Sequence, residues 1–366
     1  MMTKNKQTKI RHKENNQKHR QHAAGFLTVR CSLILLLLGL YLTGCGKEEP
    51  VNVRVGSLKG PTSMGILFLM DKAEKGESEN TYHFQMETGA DTLTALMAKG
   101  ELDIAMIPAN AAAALYQRTD GGVKVVDINT LGVLYLVTGT AEIGSVSDLR
   151  GKTVYLTGKG TTPEAVLKYV LRQNGLTEKD CTLEYKSEAT EVAAVLAENP
   201  DAVGLLPQPF VTAALLQNET LRVVLDMNEE WVKAQGESGS GIVTGVTVVR
   251  SEFLQEHEAE VLAFLDEHRD SAAAINADIE KGAELAVKAG IVAKEPIAKK
   301  AIPQCNITCV TGEEMREALS EYLKVLADFN VELTGGSLPE EDFYFRGQVL
   351  PAGQTLPAGQ TLPVGQ

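Results

Sequence analysis

One pattern constrains this chain more than any other: a short apolar strand, a turn-rich loop and a helix-forming stretch follow one another repeatedly. Val51 to Val55 alternates like a strand, residues 56–63 are rich in Gly, Pro, Ser and Thr, and Met64 to Met70 is apolar at helical spacing. The unit returns with Tyr82 to Met86 leading into 91–97. It returns again with Leu102 to Ile107, which leads through Pro108, Ala109 and Asn110 into an alanine-rich helix. Parallel neighbours need a long crossover, usually a helix, so recurring units of this kind predict an α/β chain with largely parallel sheets.

After strands expected at Val123 to Ile128 and Leu131 to Val137, the pattern restarts over Ser147 to Leu156. A length of 366 residues suits two domains. The first helix of the second unit is well marked. Thr162 can cap it, Pro163 suits its first turn, Val166, Leu167, Val170 and Leu171 share a face, and Gly175 can end it. Strands are expected near Leu183 to Tyr185, Ala202 to Leu206, Leu221 to Leu225 and Ile242 to Val249, with helices near Glu191 to Ala197 and Phe210 to Gln217. The rest is mostly helical. Thr311 to Glu314 reads as a capping box, and Met315, Leu319, Tyr322, Leu323 and Leu326 lie at helical spacing behind it, as a core face would.

The N-terminus differs from the body. Residues 1–30 carry eight Lys/Arg against one acid, Glu14, and Cys31 to Leu42 runs apolar and uncharged. That run is shorter than the ~20 residues a spanning helix needs, and small residues follow it, so 1–44 is expected to be a removable secretion signal. Leu42-Thr43-Gly44-Cys45 resembles the bacterial lipobox, which implies lipidation of Cys45 and a protein anchored on the extracytoplasmic face of the cell membrane. Removal of the signal leaves 27 basic and 47 acidic residues, a net charge of −20. That sign excludes nucleic acid as a broad partner. At the other end, 347–366 contains a six-residue Leu-Pro-Ala-Gly-Gln-Thr repeat and is expected to be a disordered tail.

No catalytic, metal or cofactor motif emerges. His83 falls in a strand and His257 and His268 on acidic helices, none at ligand spacing, which points to surface or packing roles. Gly151-Lys152-Thr153 lacks the upstream glycine spacing of a phosphate loop and precedes a strand. Cys305 and Cys309 lack the second ligand pair of a zinc site, and together with Cys181 they are expected to be structural or free thiols, with a Cys305–Cys309 disulfide open if a turn allows it. Trp231, the single tryptophan, is open to two readings, stacking on a ligand ring or packing in the core. What stands out is a set of Gly/Pro/Thr/Ser loops at strand-to-helix junctions: 59–63, 88–91, 108–110, 157–163 and 207–210. In parallel sheets such junctions line the ligand crevice, and helix starts there offer free N–H groups and a positive dipole end.

Four segments then carry a family resemblance: 53–63, Leu96 to Pro108 with its Lys99-Gly100-Glu101-Leu102-Asp103 centre, Asp148-Leu149-Arg150-Gly151-Lys152-Thr153-Val154, and Leu205-Leu206-Pro207-Gln208-Pro209-Phe210. In this order they resemble the solute-binding lipoproteins of ABC transporters in the nitrate/sulfonate/taurine/thiamine-precursor group. The resemblance implies a type II periplasmic-binding-protein fold. Lobe 1 would be discontinuous, 51–138 and 243–346, and lobe 2 would be 139–242, hinged on crossing strands near Leu136 to Gly139 and Ile242 to Gly245. It implies ligand contacts at Lys59, Gly60, Pro61, Thr62, Gly89, Ala90, Asn110, Gly160, Thr161, Thr162, Gln208 and Pro209. It also implies a monomer that needs no cofactor, takes a small organic solute and serves a permease and its ATPase. Related folds serve menaquinone-pathway enzymes and pyrimidine synthases, and others act as ligand sensors for membrane receptors; these are the alternatives.

Overall fold

The strand–loop–helix series forms as its pattern requires. The computed structural model describes residues 51–236 and 240–347. The signal segment, Cys45 and the repeat tail therefore lie outside the described residues, as does the middle of the glycine- and serine-rich 236–241 stretch. Along the chain run β1 (Asn52–Leu58), α1 (Pro61–Met64), α2 (Leu67–Glu74), β2 (Thr81–Glu87), α3 (Ala90–Ala98), β3 (Ile104–Pro108), α4 (Ala109–Arg118) and β4 (Val123–Thr130). The second unit holds β5 (Leu134–Thr138), β6 (Thr153–Leu156), α5 (Thr162–Gln173), β7 (Thr182–Tyr185), α6 (Ala189–Glu198), β8 (Val203–Pro207), α7 (Phe210–Gln217), β9 (Arg222–Asp226) and α8 (Met227–Gln235). The chain then returns through β10 (Gly245–Arg250), α9 (Ser251–Glu256), α10 (Glu258–Ala277), α11 (Ile279–Lys288), α12 (Glu295–Ala301), β11 (Ile307–Val310) and α13 (Gly312–Phe329). No helix among the described residues is long and apolar enough to cross a membrane.

Two sheets result, ordered β11-β4-β10-β3-β1-β2 and β7-β6-β8-β5-β9. From β2 and from β7 inward they share one plan: three parallel strands, then an antiparallel strand, then a fourth from the same half. The antiparallel strand of each comes from the far side of the crossing, β10 in sheet one and β5 in sheet two. β5 hydrogen-bonds to β8 and β9, so the second sheet begins at Leu134, five residues before the expected boundary at 139. Likewise, 242–244 is not strand. It crosses between the sheets, with Thr244 N donating to Thr130 O at 3.0 Å and Ile242 N to Asn228 Oδ1 at 2.8 Å. The crossing segments are thus 131–133 and 240–244.

A second tie spans the crossing. Leu131 N donates to Asn306 O at 3.0 Å, Asn306 Nδ2 to Gly132 O at 2.5 Å, and the Tyr135 hydroxyl to Gln304 O at 2.7 Å. α13 packs on α4 of the first lobe and on α5 of the second. Its Met315, Leu319, Tyr322, Leu323 and Leu326 are buried, as their spacing predicts, in one apolar core that includes Ala105 and Ile107 of lobe 1 and Val154 and Leu156 of lobe 2. Trp231 is fully buried there, its ring 4.4 Å from Tyr169 and 5.5 Å from Tyr322, which decides for core packing.

Candidate functional site

The expected contact residues all lie where a parallel strand ends and a helix starts. In lobe 1, Lys59 N donates to Glu87 O at 2.8 Å, which joins the loop after β1 to the loop after β2. Gly60 sits at φ 153°, a conformation that favours glycine, and nothing lies within 4 Å of where its Cβ would be. Thr62 is buried against the return strand. A methyl placed on Gly245 would stand 2.3 Å from Thr62 Cγ2 and 2.5 Å from Asn129 Oδ1, so only glycine allows this approach. The helix starts here, with Gly60, Gly89 and Pro108 as N-caps, have no side-chain cap. Asn110 stands in the first turn of α4, which is fixed by Ala109 N donating to Thr244 O at 3.1 Å. Pro61, Gly89 and Ala90 complete this rim. Lys59 reaches elsewhere: its ammonium lies 3.3 Å from the Cβ position of Gly290, at the turn after α11.

In lobe 2 the helix starts at Thr161 and Pro209 also lack a side-chain cap, but nearby side chains fold back onto the loops. Glu164 Oε2 accepts from Gly160 N at 2.5 Å and Glu164 Oε1 meets Lys168 Nζ at 2.6 Å, while Thr161 Oγ1 donates to Gly158 O at 2.6 Å. Burial works to raise the Glu164 carboxyl, but the Gly160 amide and Lys168 outweigh it and hold the group below its ordinary range, so it is ionised. Gln208 also turns inward. Its Oε1 accepts from Thr212 Oγ1 at 2.9 Å and from Thr212 N at 3.4 Å, next to Pro209. Gln208 and Thr212, with Leu215 and Val223, line a cavity of about 260 Å³ to which Lys300 and Gln304 also contribute. Thr162 lies beside the phenol of Tyr322 on α13.

The structure therefore sets 59–62 and 110 beside Gly245 and Thr244, with 89–90 on the neighbouring loop, and sets 160–162 against α13 and 208–209 against the α12 side. Sequence reading missed Asn129, Glu164 and the Trp231–Tyr322 pair. Two of the buried polar atoms without a hydrogen-bond partner are Trp231 Nε1 and the Tyr322 hydroxyl, behind Thr162. A glutamate two residues after an N-cap-like threonine and before Lys168 at i,i+4 was the available signal for Glu164.

Comparison with known proteins places this geometry. A family model described as menaquinone biosynthesis matches residues 63–328. No curated protein matches the chain. Among solved structures, an ABC transporter protein from Parabacteroides distasonis is similar over 81% of this chain and 99% of its own at 24% identity, with a TM-score of 0.68. The periplasmic aliphatic sulphonate binding protein SsuA from Escherichia coli is similar over 87% of this chain and 100% of its own at 17% identity, TM-score 0.65. An alkanesulfonate-binding SsuA from Xanthomonas axonopodis, solved with MOPS bound, is similar over 80% and 96% at 15% identity, TM-score 0.57. The fold is that of the type II periplasmic binding proteins.

Proposed function

We infer the function from two premises: the chain belongs to the menaquinone biosynthesis family, and it carries the two-lobed fold of ABC-importer binding proteins. On these we propose that it captures a small organic solute between its lobes and hands it to an ABC permease and its ATPase, held to the extracytoplasmic membrane face by lipid on Cys45. The observation that carries this reading is the unequal rim. Rim helix starts on both lobes lack a side-chain cap, but in lobe 2 Glu164 and Gln208 turn back onto the Gly160 and Thr212 amides, and the lobe 1 starts have no such neighbour among the described residues. A solute can supply the partners lobe 1 lacks and be covered by lobe 2. The solute class is a neutral or singly anionic polar molecule, of which small heterocycles and alkanesulfonates are examples, because the ionised Glu164 opposes multiple negative charge.

The test is a thermal-shift screen of alkanesulfonates, heterocycles and menaquinone precursors. A solute at a hundred times its Kd stabilises the native state by ~2.7 kcal/mol, a shift of several degrees. Hits returned unchanged after long incubation support capture. The family's description favours one other reading, an enzyme of the same fold, and consumption of a hit, seen by mass spectrometry, would establish it instead. Replacement of Cys45 by Ala should release the protein from the membrane fraction; retention with lipid attached removes the anchor from the proposal.

A further inference from the structure

Beneath the lobe 1 rim, three side chains from distant parts of the chain converge: Asp127 on β4, His268 on α10 and Cys309 on β11. Asp127 and His268 are completely buried, which leaves packing and not the surface of the two roles expected for His268, and Cys309 is half-buried and free. One ligand atom from each lies within 4.8 Å of the other two. His268 Nδ1 is 3.1 Å from Asp127 Oδ2. The other carboxylate oxygen accepts from Thr247 Oγ1 at 2.8 Å, and Asn129 Nδ2 donates to that hydroxyl at 3.2 Å. The second ring nitrogen, His268 Nε2, is buried without a hydrogen-bond partner, and a methyl on Gly65 would stand only 3.0 Å from it.

We propose that Asp127, His268 and Cys309 form a site for a divalent transition-metal ion of zinc's class. Thiolate, imidazole and carboxylate are the three donor types of zinc sites, and three protein donors leave a fourth position for water or another group. A thiolate with an imidazole argues against magnesium or calcium, which take oxygen. One carboxylate and one thiolate match the two charges of the ion, so the buried cluster becomes neutral when it binds. Thr247 supplies the outer contact that fixes the carboxylate. The donors must draw together from their present spacing, and β11 can allow it: it is an edge strand that pairs only with β4, and its register shifts between Ile307 and Val310. Cys309, half-exposed, gives the ion its way in. Bound there, the ion ties β4, β11 and α10 beneath the strand that carries Gly245.

The test uses the chelator-stripped, reduced full chain with Cys31 and Cys45 changed to serine, titrated anaerobically with cobalt(II) alone. One equivalent should bind with a thiolate-to-cobalt charge-transfer band in the near ultraviolet, and zinc should displace it. Cys309→Ser, at a half-buried position that tolerates the change, should abolish the band. Thr247→Val should keep the band and weaken binding by about tenfold to a hundredfold. Cys181→Ser and Cys305→Ser should change neither. Failure to retain a stoichiometric ion, survival of the band in Cys309→Ser, or its loss in Cys305→Ser overturns the site.

Discussion

Lobe 1 keeps a buried carboxylate at the foot of its sheet, where Asp103 precedes β3, accepts from Arg54 Nε at 2.8 Å and Nη2 at 2.5 Å, and meets Arg250 Nη2 at 3.0 Å. Lobe 2 keeps its buried carboxylate at the rim, where Glu164 closes the first turn of α5. The strand plan is the same, and these two carboxylates sit at opposite ends of it, although lobe 1 also buries Asp127 on β4. At the foot, the carboxylate pins strands and leaves the crevice untouched. At the rim it consumes amide donors that a solute would otherwise use, so one lobe is left open for recognition and the other is prepared for closure.

The largest expected effect is at the foot. Asp103→Asn removes the counter-charge of two arginines and should lower the unfolding free energy by about 3 kcal/mol, the low end for a buried pair because Arg54 is part-exposed, while solute affinity stays the same. A matching loss of affinity in a folded variant would break the separation of foot from rim. Burial works to raise the Asp103 carboxyl, but Arg54 and Arg250 prevail and hold it below its ordinary 3.8. With the folded pKa below the unfolded one, this stabilisation is complete above that range and fades as pH falls through the folded value, so urea midpoints of wild type and variant should converge in acid.

Next comes Gly245→Ala, whose methyl has no room beside Thr62 and Asn129. Overpacking should cost about 1–3 kcal/mol in stability, and displacement of the Thr62 loop should weaken solute binding. Calorimetry on the folded variant checks both; unchanged affinity would mean the 59–62 loop is not part of the site. Asn110→Ala and Thr162→Ala should each cost about 0.5–1.5 kcal/mol in binding, threefold to tenfold in affinity. Asn110 should be the more costly, since it stands at the rim of the lobe with no side chain folded back onto the amides of its loops. The reverse order would reverse the assignment of open and closing lobes. The smallest effect has the opposite sign. Glu164→Gln keeps an acceptor for the Gly160 amide but removes charge near a helix start, and should tighten binding of an anionic solute about twofold to fivefold with little effect on a neutral one.

Most elements were readable because local pattern and tertiary burial agree. Phe210–Gln217 forms over the expected residues, and the first helix of lobe 2 starts at Thr162 with Pro163 in its first turn. The crossing misled where apolar residues are buried for another reason: Ile242 and Val243 read as strand, yet they pack into the shared core on a connecting segment held by Asn228. The loops of the rim were legible as glycine and proline punctuation. Their difference was not, since it depends on whether a nearby side chain turns back onto the amides, as Glu164 and Gln208 do. The hardest case is Asp266-Glu267-His268-Arg269-Asp270, which reads as a solvated run. Its two middle residues are buried because their partners come from elsewhere, Lys72 and Tyr82 for Glu267 and Asp127 for His268. No spacing along the chain announces a pair 141 residues apart.

The position of β10 also sets an order of events. Sheet two can be completed from a continuous stretch, β5 to β9, whereas sheet one has a vacancy between β3 and β4 until residues 245–250 have emerged. A chain made from its N-terminus therefore holds β4 without a partner strand, apart from the β3-β1-β2 set, while its second half can already close. Contacts so distant in sequence are slow to form. A chain stopped near residue 240 should show protected amides in β5 to β9 and open ones in β4, so the half that recognises the solute is the last to become native.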